Sequence, residues 1–138
     1  MFAEIFKKFY LIFLLTWAVF IANAAQAQEQ IDIHEQFTLA NLAFRQANES
    51  PDRAQSEELY SKAIAHYTTI IEDGGVKNGK LYYNIGNAYL LKGDIGKAIV
   101  NYRRGLELLP GDYQIEKNLE YARTQRADEI ELQEKKQL

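Results

Sequence analysis

The sequence predicts an all-α fold of antiparallel helix pairs closed by a capping helix, and three observations carry that prediction. After residue 27, apolar residues recur at helical spacing and nowhere alternate with period two for long enough to build a sheet. Strong stop signals at Asp73-Gly74-Gly75, Gly93 and Pro110-Gly111 cut the chain into pieces of helix length. A short pattern also returns: Ala63-Ile64-x-x-Tyr67 reappears thirty-five positions later as Ala98-Ile99-x-x-Tyr102.

Each element then follows in order. A first helix is expected over residues 32–47 and a second over 50–72, with Ser50 as its cap and Pro51 at its first helical position. The third runs over 79–91, where Gly93 supplies a left-handed cap and Asp94 accepts the first amides of the fourth. That fourth helix ends near Leu109, broken by Pro110 and Gly111. Asp112 caps a fifth from Tyr113, which places Ile115, Leu119 and Ala122 on one face. Residues 123–138 form a charged helical tail.

Composition limits the partners. The 138 residues are 47% hydrophobic and 25% charged, the make-up of one small globular domain. A formal charge of −3 provides no basic surface for nucleic acid, and the absence of cysteine excludes disulfides, thiolate metal sites and thiol nucleophiles. Lys7 and Lys8 precede an apolar run from Phe9 to Ala22 and then Ala25-Gln26-Ala27, the order of a secretory signal peptide over residues 1–27. The run is shorter than the roughly 20 residues that span a bilayer, so cleavage after Ala27 and a periplasmic or secreted destination are expected. An uncleaved segment would instead anchor the chain in the inner membrane. Removal of Glu4, Lys7 and Lys8 with the segment takes 16 basic and 19 acidic residues to 14 and 18, a net charge of −4.

The repeat length near 34 and the residues Tyr82, Ile85, Gly86, Tyr89, Ala98, Tyr102 and Pro110 lay down the pattern W-x2-L-G-x2-Y, A-x3-F, P, with Tyr for Trp and Phe and Ile for Leu. This stretch resembles a tetratricopeptide repeat (TPR). The chain is thus expected to form a short TPR solenoid over residues 32–122: a degenerate repeat at 32–73, a well-formed one at 79–112, and a capping helix from 113. Residues 82, 85, 86 and 89 share one helical face, and Gly86 and Ala98 are small so that paired helices can approach closely. In the degenerate repeat Ala43-Phe44 is matched to Ala88-Tyr89, which leaves about ten extra residues around ANESPDRAQS as a loop or an overlong helix.

Residues 82–131 also resemble the exported TPR proteins of bacterial aerotolerance (Bat) operons, on the strength of GDIGKAI before NYRR, the P-x-D after the second helix, and NLEYAR with a downstream DEIE. Members of that family continue into transmembrane helices and often an SH3-like domain. The resemblance implies a role in a Bat-type aerotolerance or stress complex.

No catalytic constellation emerges. His34 and His66 lack metal-ligand spacing, Glu57-Glu58 and Asp128-Glu129 lie on polar helix faces, and no nucleophile elbow, phosphate loop or HExxH is present. No cofactor, metal or enzymatic activity is therefore expected. The expected function is protein binding in a concave groove of the first, third and fifth helices, with Lys80, Tyr83, Asn84, Asn87, Leu90 and Lys117 as contact residues. Stable arrays usually need three repeats, so a homo-oligomer of stacked units is the alternative, and a membrane-tethered adaptor follows if the signal is retained.

Overall fold

The computed structural model describes residues 32–137 together with Phe13, Thr16 and Trp17. The signal-peptide assignment otherwise lies outside the described residues. Among those described, no helix is long and apolar enough to cross a membrane.

Residues 32–137 form five helices and no strand: α1 (Ile33–Glu49), α2 (Arg53–Glu72), α3 (Gly79–Lys92), α4 (Ile95–Leu108) and α5 (Tyr113–Gln137). Each packs on its neighbours in the chain, so α1–α2 and α3–α4 are stacked pairs and α5 closes the second pair, touching α3 as well as α4. This is the all-α solenoid that the sequence predicts.

The helix ends follow local chemistry. Gly93 ends α3 with φ 95°, and the Asp94 carboxylate accepts the Lys97 amide at 3.1 Å to open α4. Gly111, at φ 78°, turns the chain so that Asp112 can accept the Ile115 amide and start α5. The expected start of the second helix is corrected. Asp52, not Ser50, is the cap, its Oδ1 accepting from Ala54 at 2.8 Å and Gln55 at 3.3 Å. Ser50 instead ends α1, because a residue that precedes proline is driven out of the helical region; it sits at φ −71°, ψ 125°.

The extra residues of the first pair are absorbed in helix. α1 and α2 have 17 and 20 residues where α3 and α4 each have 14. The linker between α1 and α2 is only residues 50–52.

Two apolar clusters result. The first gathers Ala40, Ala43 and Ala47 of α1, Tyr60, Ala63, Ile64, Tyr67 and Ile70 of α2, and Leu81, Ile85 and Ala88 of α3. The second joins Ala98 and Tyr102 of α4 to Ile115, Leu119 and Ala122 of α5. Ile115, Leu119 and Ala122 thus stand one repeat after Leu81, Ile85 and Ala88, each trio packing on the pair that precedes it. Ile85 packs with α1 and α2, because α3 divides its faces between the first pair on one side and α4 and α5 on the other.

Candidate functional site

Small residues set the spacing within the second pair. A Cβ on Gly86 would lie 2.6 Å from Tyr102 Cε1, so the glycine makes room for an aromatic ring. The three atoms nearest to that position all belong to the Tyr102 ring. A backbone-to-backbone approach is made by Gly79 and Gly105: a Cβ on Gly79 would fall 2.7 Å from the Gly105 carbonyl oxygen, and one on Gly105 would fall 3.1 Å from that of Gly79. Gly79 carried no signal of this in the sequence, since at a helix start glycine reads as a boundary.

A polar joint crosses each repeat boundary. In the second, the buried Tyr102 hydroxyl donates to Asn87 Oδ1 at 2.8 Å, and Asn118 of α5 donates to the same oxygen at 2.8 Å and reaches the Tyr83 hydroxyl at 3.5 Å. In the first, Tyr67 donates to Asn41 Oδ1 at 2.6 Å, and Asn84 of α3 lies beside the same phenol. Ring pairs accompany both: Tyr83 with Tyr102 at 6.2 Å and Phe37 with Tyr67 at 6.1 Å. Among the described residues no buried side-chain nitrogen or oxygen lacks a partner. Burial pushes the Tyr67 phenol up to about 12, against a smaller opposing effect of Asn84. Burial likewise raises Tyr102, opposed by Asn118 and reinforced by Tyr83.

These contacts fix the register of the first repeat. Phe37 corresponds to Tyr83 and Asn41 to Asn87, an offset of 46 positions. The match of Ala43-Phe44 to Ala88-Tyr89, an offset of 45, is off by one residue. Phe44 instead packs edge-on against Tyr60 at 5.6 Å.

Five of the six residues expected to line the groove lie on α3 and the sixth, Lys117, on α5, and they differ in availability. Lys80 is exposed, ion-paired to Asp112 Oδ2 at 2.6 Å and 5.4 Å from the centre of the Tyr83 ring. That pairing holds the Asp112 carboxyl below its ordinary range. Tyr83 and Leu90 are half-buried against the second cluster. Asn84 and Asn87 are half-buried in the two joints, so the bonding capacity of Asn87 is turned inward. Lys117 is exposed on α5. Tyr83, Asn87 and Leu90, expected as groove contacts, are thus turned in part toward α4 and α5.

The histidines are not brought together. His66 Nδ1 lies 2.7 Å from Gln36 Oε1 between α1 and α2, while His34 is exposed at the start of α1. Among the described residues no group of three or more His, Asp or Glu is placed to hold a metal ion. Glu57 and Glu58 pair with Arg53 and Lys62 along the surface of α2, and Glu129 pairs with Arg126 on α5.

No curated protein matches the chain. Residues 79–112, which span α3, α4 and the turn that leads into α5, match the tetratricopeptide repeat family. Such repeats are in general protein-binding modules and not catalysts. The segment from Gly79 to Asp112 is therefore a tetratricopeptide repeat, seated in an all-α solenoid of stacked helix pairs.

Proposed function

We propose that the protein is an exported interaction scaffold that holds a segment of a partner protein along the side of the solenoid shared by α1, α3 and α5. The repeat at 79–112 carries this reading, since its helices are committed to packing and offer shape and hydrogen bonds where an enzyme would offer reactive groups. Lys80 and Lys117 supply charge, while Tyr83, Asn84 and Leu90 supply half-exposed apolar and amide surface. Asn87 acts one step back, by holding Tyr102 and Asn118. A place in a Bat-type aerotolerance complex is the narrower form of the proposal and rests on the resemblance over residues 82–131.

The test is comparative capture. Lys80→Glu together with Lys117→Glu reverses two exposed charges, and Lys117→Glu alone is the control that leaves the Lys80–Asp112 ion pair intact. The double variant should lose a partner that the wild-type protein recovers from the exported fraction, while its helical circular dichroism stays unchanged. Equal recovery of the same partner by both proteins would reject the groove. Amino-terminal sequencing of the exported protein checks the other half of the proposal, with Gln28 expected as the first residue.

A further inference from the structure

The register that ties α1 to α3 gives α1 a docking face. At the offset of 46 positions, Glu35, Leu39 and Leu42 stand where α3 has Leu81, Ile85 and Ala88 and where α5, one repeat later, has Ile115, Leu119 and Ala122. In α3 and α5 these are the positions that pack on the preceding helix pair. Ala88 and Ala122 are 0% exposed, whereas Leu42 in the same place is 40% exposed and Leu39 is half-buried. A lone surface leucine is ordinary, but two at the places by which this fold stacks mark a face of the stacking type.

Glu35 narrows what can cover that face. Another helix pair of the same kind would bring an apolar surface over position 35, and a carboxylate covered without a partner is costly. The occupant must therefore offer apolar surface to the leucines and a donor or cation to Glu35. A second α1 offers both. Glu35, Leu39, Leu42 and Gln46 form one stripe, with four positions from Glu35 to Leu39 and four from Leu42 to Gln46, and exposed Arg45 adjoins its far end. Laid antiparallel on its own copy, this stripe sets each Leu39 on the other chain's Leu42 and each Glu35 beside the other chain's Arg45 and Gln46. A parallel arrangement would set Glu35 against Glu35, like charge on like. Among the described residues neither Glu35 nor Arg45 is ion-paired within the chain.

We infer that two copies of the protein associate through antiparallel packing of α1 on α1, with Leu39 and Leu42 of both chains at the centre and Glu35 facing Arg45 at either end. The contact is isologous, the commonest form of self-assembly. It supplies the neighbour that α1 lacks among the described residues and joins two short stacks into one longer array, of the length at which such repeats become stable. Lys80 and Lys117 take no part in it, so the association goes beyond the groove reading and does not depend on it.

The experiment is sedimentation equilibrium on the exported protein, which should give twice the mass of one chain and dissociate on dilution. Leu42→Glu, at an exposed position, should keep its helical circular dichroism and weaken association roughly a hundredfold, about tenfold for each of the two symmetry-related leucines. Glu35→Arg and Arg45→Glu should each weaken association, and the chain that carries both should regain it. Positions 35 and 45 lie about 15 Å apart along one helix, so that rescue can act only between copies. Orientation is read by cross-linking, since the chain has no cysteine of its own. A mixture of Glu35→Cys and Gln46→Cys chains should give the mixed disulfide on mild oxidation, while Glu35→Cys alone should not cross-link. A single-chain mass at every concentration, which would leave the face to a partner or to an upstream segment, overturns the dimer. So does an undiminished dimer of folded Leu42→Glu, a failure of rescue, or cross-linking of Glu35→Cys to itself. Partner capture by the Lys80→Glu, Lys117→Glu protein reports on the groove separately.

Discussion

Gly86 faces Tyr102 so closely that any side chain at position 86 would enter the tyrosine ring. The ring cannot retreat, because it is wholly buried and its hydroxyl is tied to Asn87. Gly86→Ala therefore sets a gain in helix propensity of about 1 kcal/mol against an overpacking cost of about 1–3 kcal/mol. A net loss of stability is expected by urea denaturation, and a more stable variant would show that the ring can move.

Gly96 provides the opposite case. A Cβ there would meet nothing nearer than Asp94 Oδ1 at 4.0 Å. Gly96→Ala should raise stability by about 0.5–1 kcal/mol, as expected for removing a helical glycine in open space. The same denaturation series measures both variants, and the predicted signs are opposite.

Asn87→Ala should destabilise by about 1–3 kcal/mol, since it leaves the Tyr102 hydroxyl and the Asn118 amide without their shared acceptor. Tyr102→Phe removes one of those groups. A double-mutant cycle should show the pair losing less than the sum of the singles, by at least about 0.5 kcal/mol. Strict additivity would mean that the joint contributes nothing as a unit.

Alkaline pH should unfold the protein through its buried phenols. An unfolded tyrosine releases its proton near pH 10, whereas Tyr67 holds its own to about 12. Between those values the folded state binds more protons, so stability falls as pH rises. The contribution is fully present below about pH 10 and is lost toward 12, with Tyr102 adding to it in the same direction. Tyr67→Phe should flatten this dependence when melting temperature is followed between pH 9 and about 12.

What could be read from the chain was what local chemistry decides. Glycines that take positive φ, at 93 and 111, mark helix ends whatever surrounds them. The trio Ile115, Leu119 and Ala122 declared its buried face by spacing alone. The register of the first repeat was not legible, because it is set by contacts of Phe37 and Asn41 with a tyrosine some thirty residues away, at positions that the tetratricopeptide pattern leaves unspecified. The groove was legible as a set of positions on α3 but not in its commitments. A sequence shows that Asn87 can form hydrogen bonds; it does not show that α5 returns to engage them.

The tyrosine of each pair has one asparagine beside it from its own pair and another from the helix that follows, Tyr67 with Asn41 and Asn84, and Tyr102 with Asn87 and Asn118. The two couplings thus use the same residue types, like matching sockets on successive links. A further copy of residues 79–112 spliced in after position 112 would meet matching surfaces upstream and downstream, so the molecule can be lengthened by whole links without redesigning any seam.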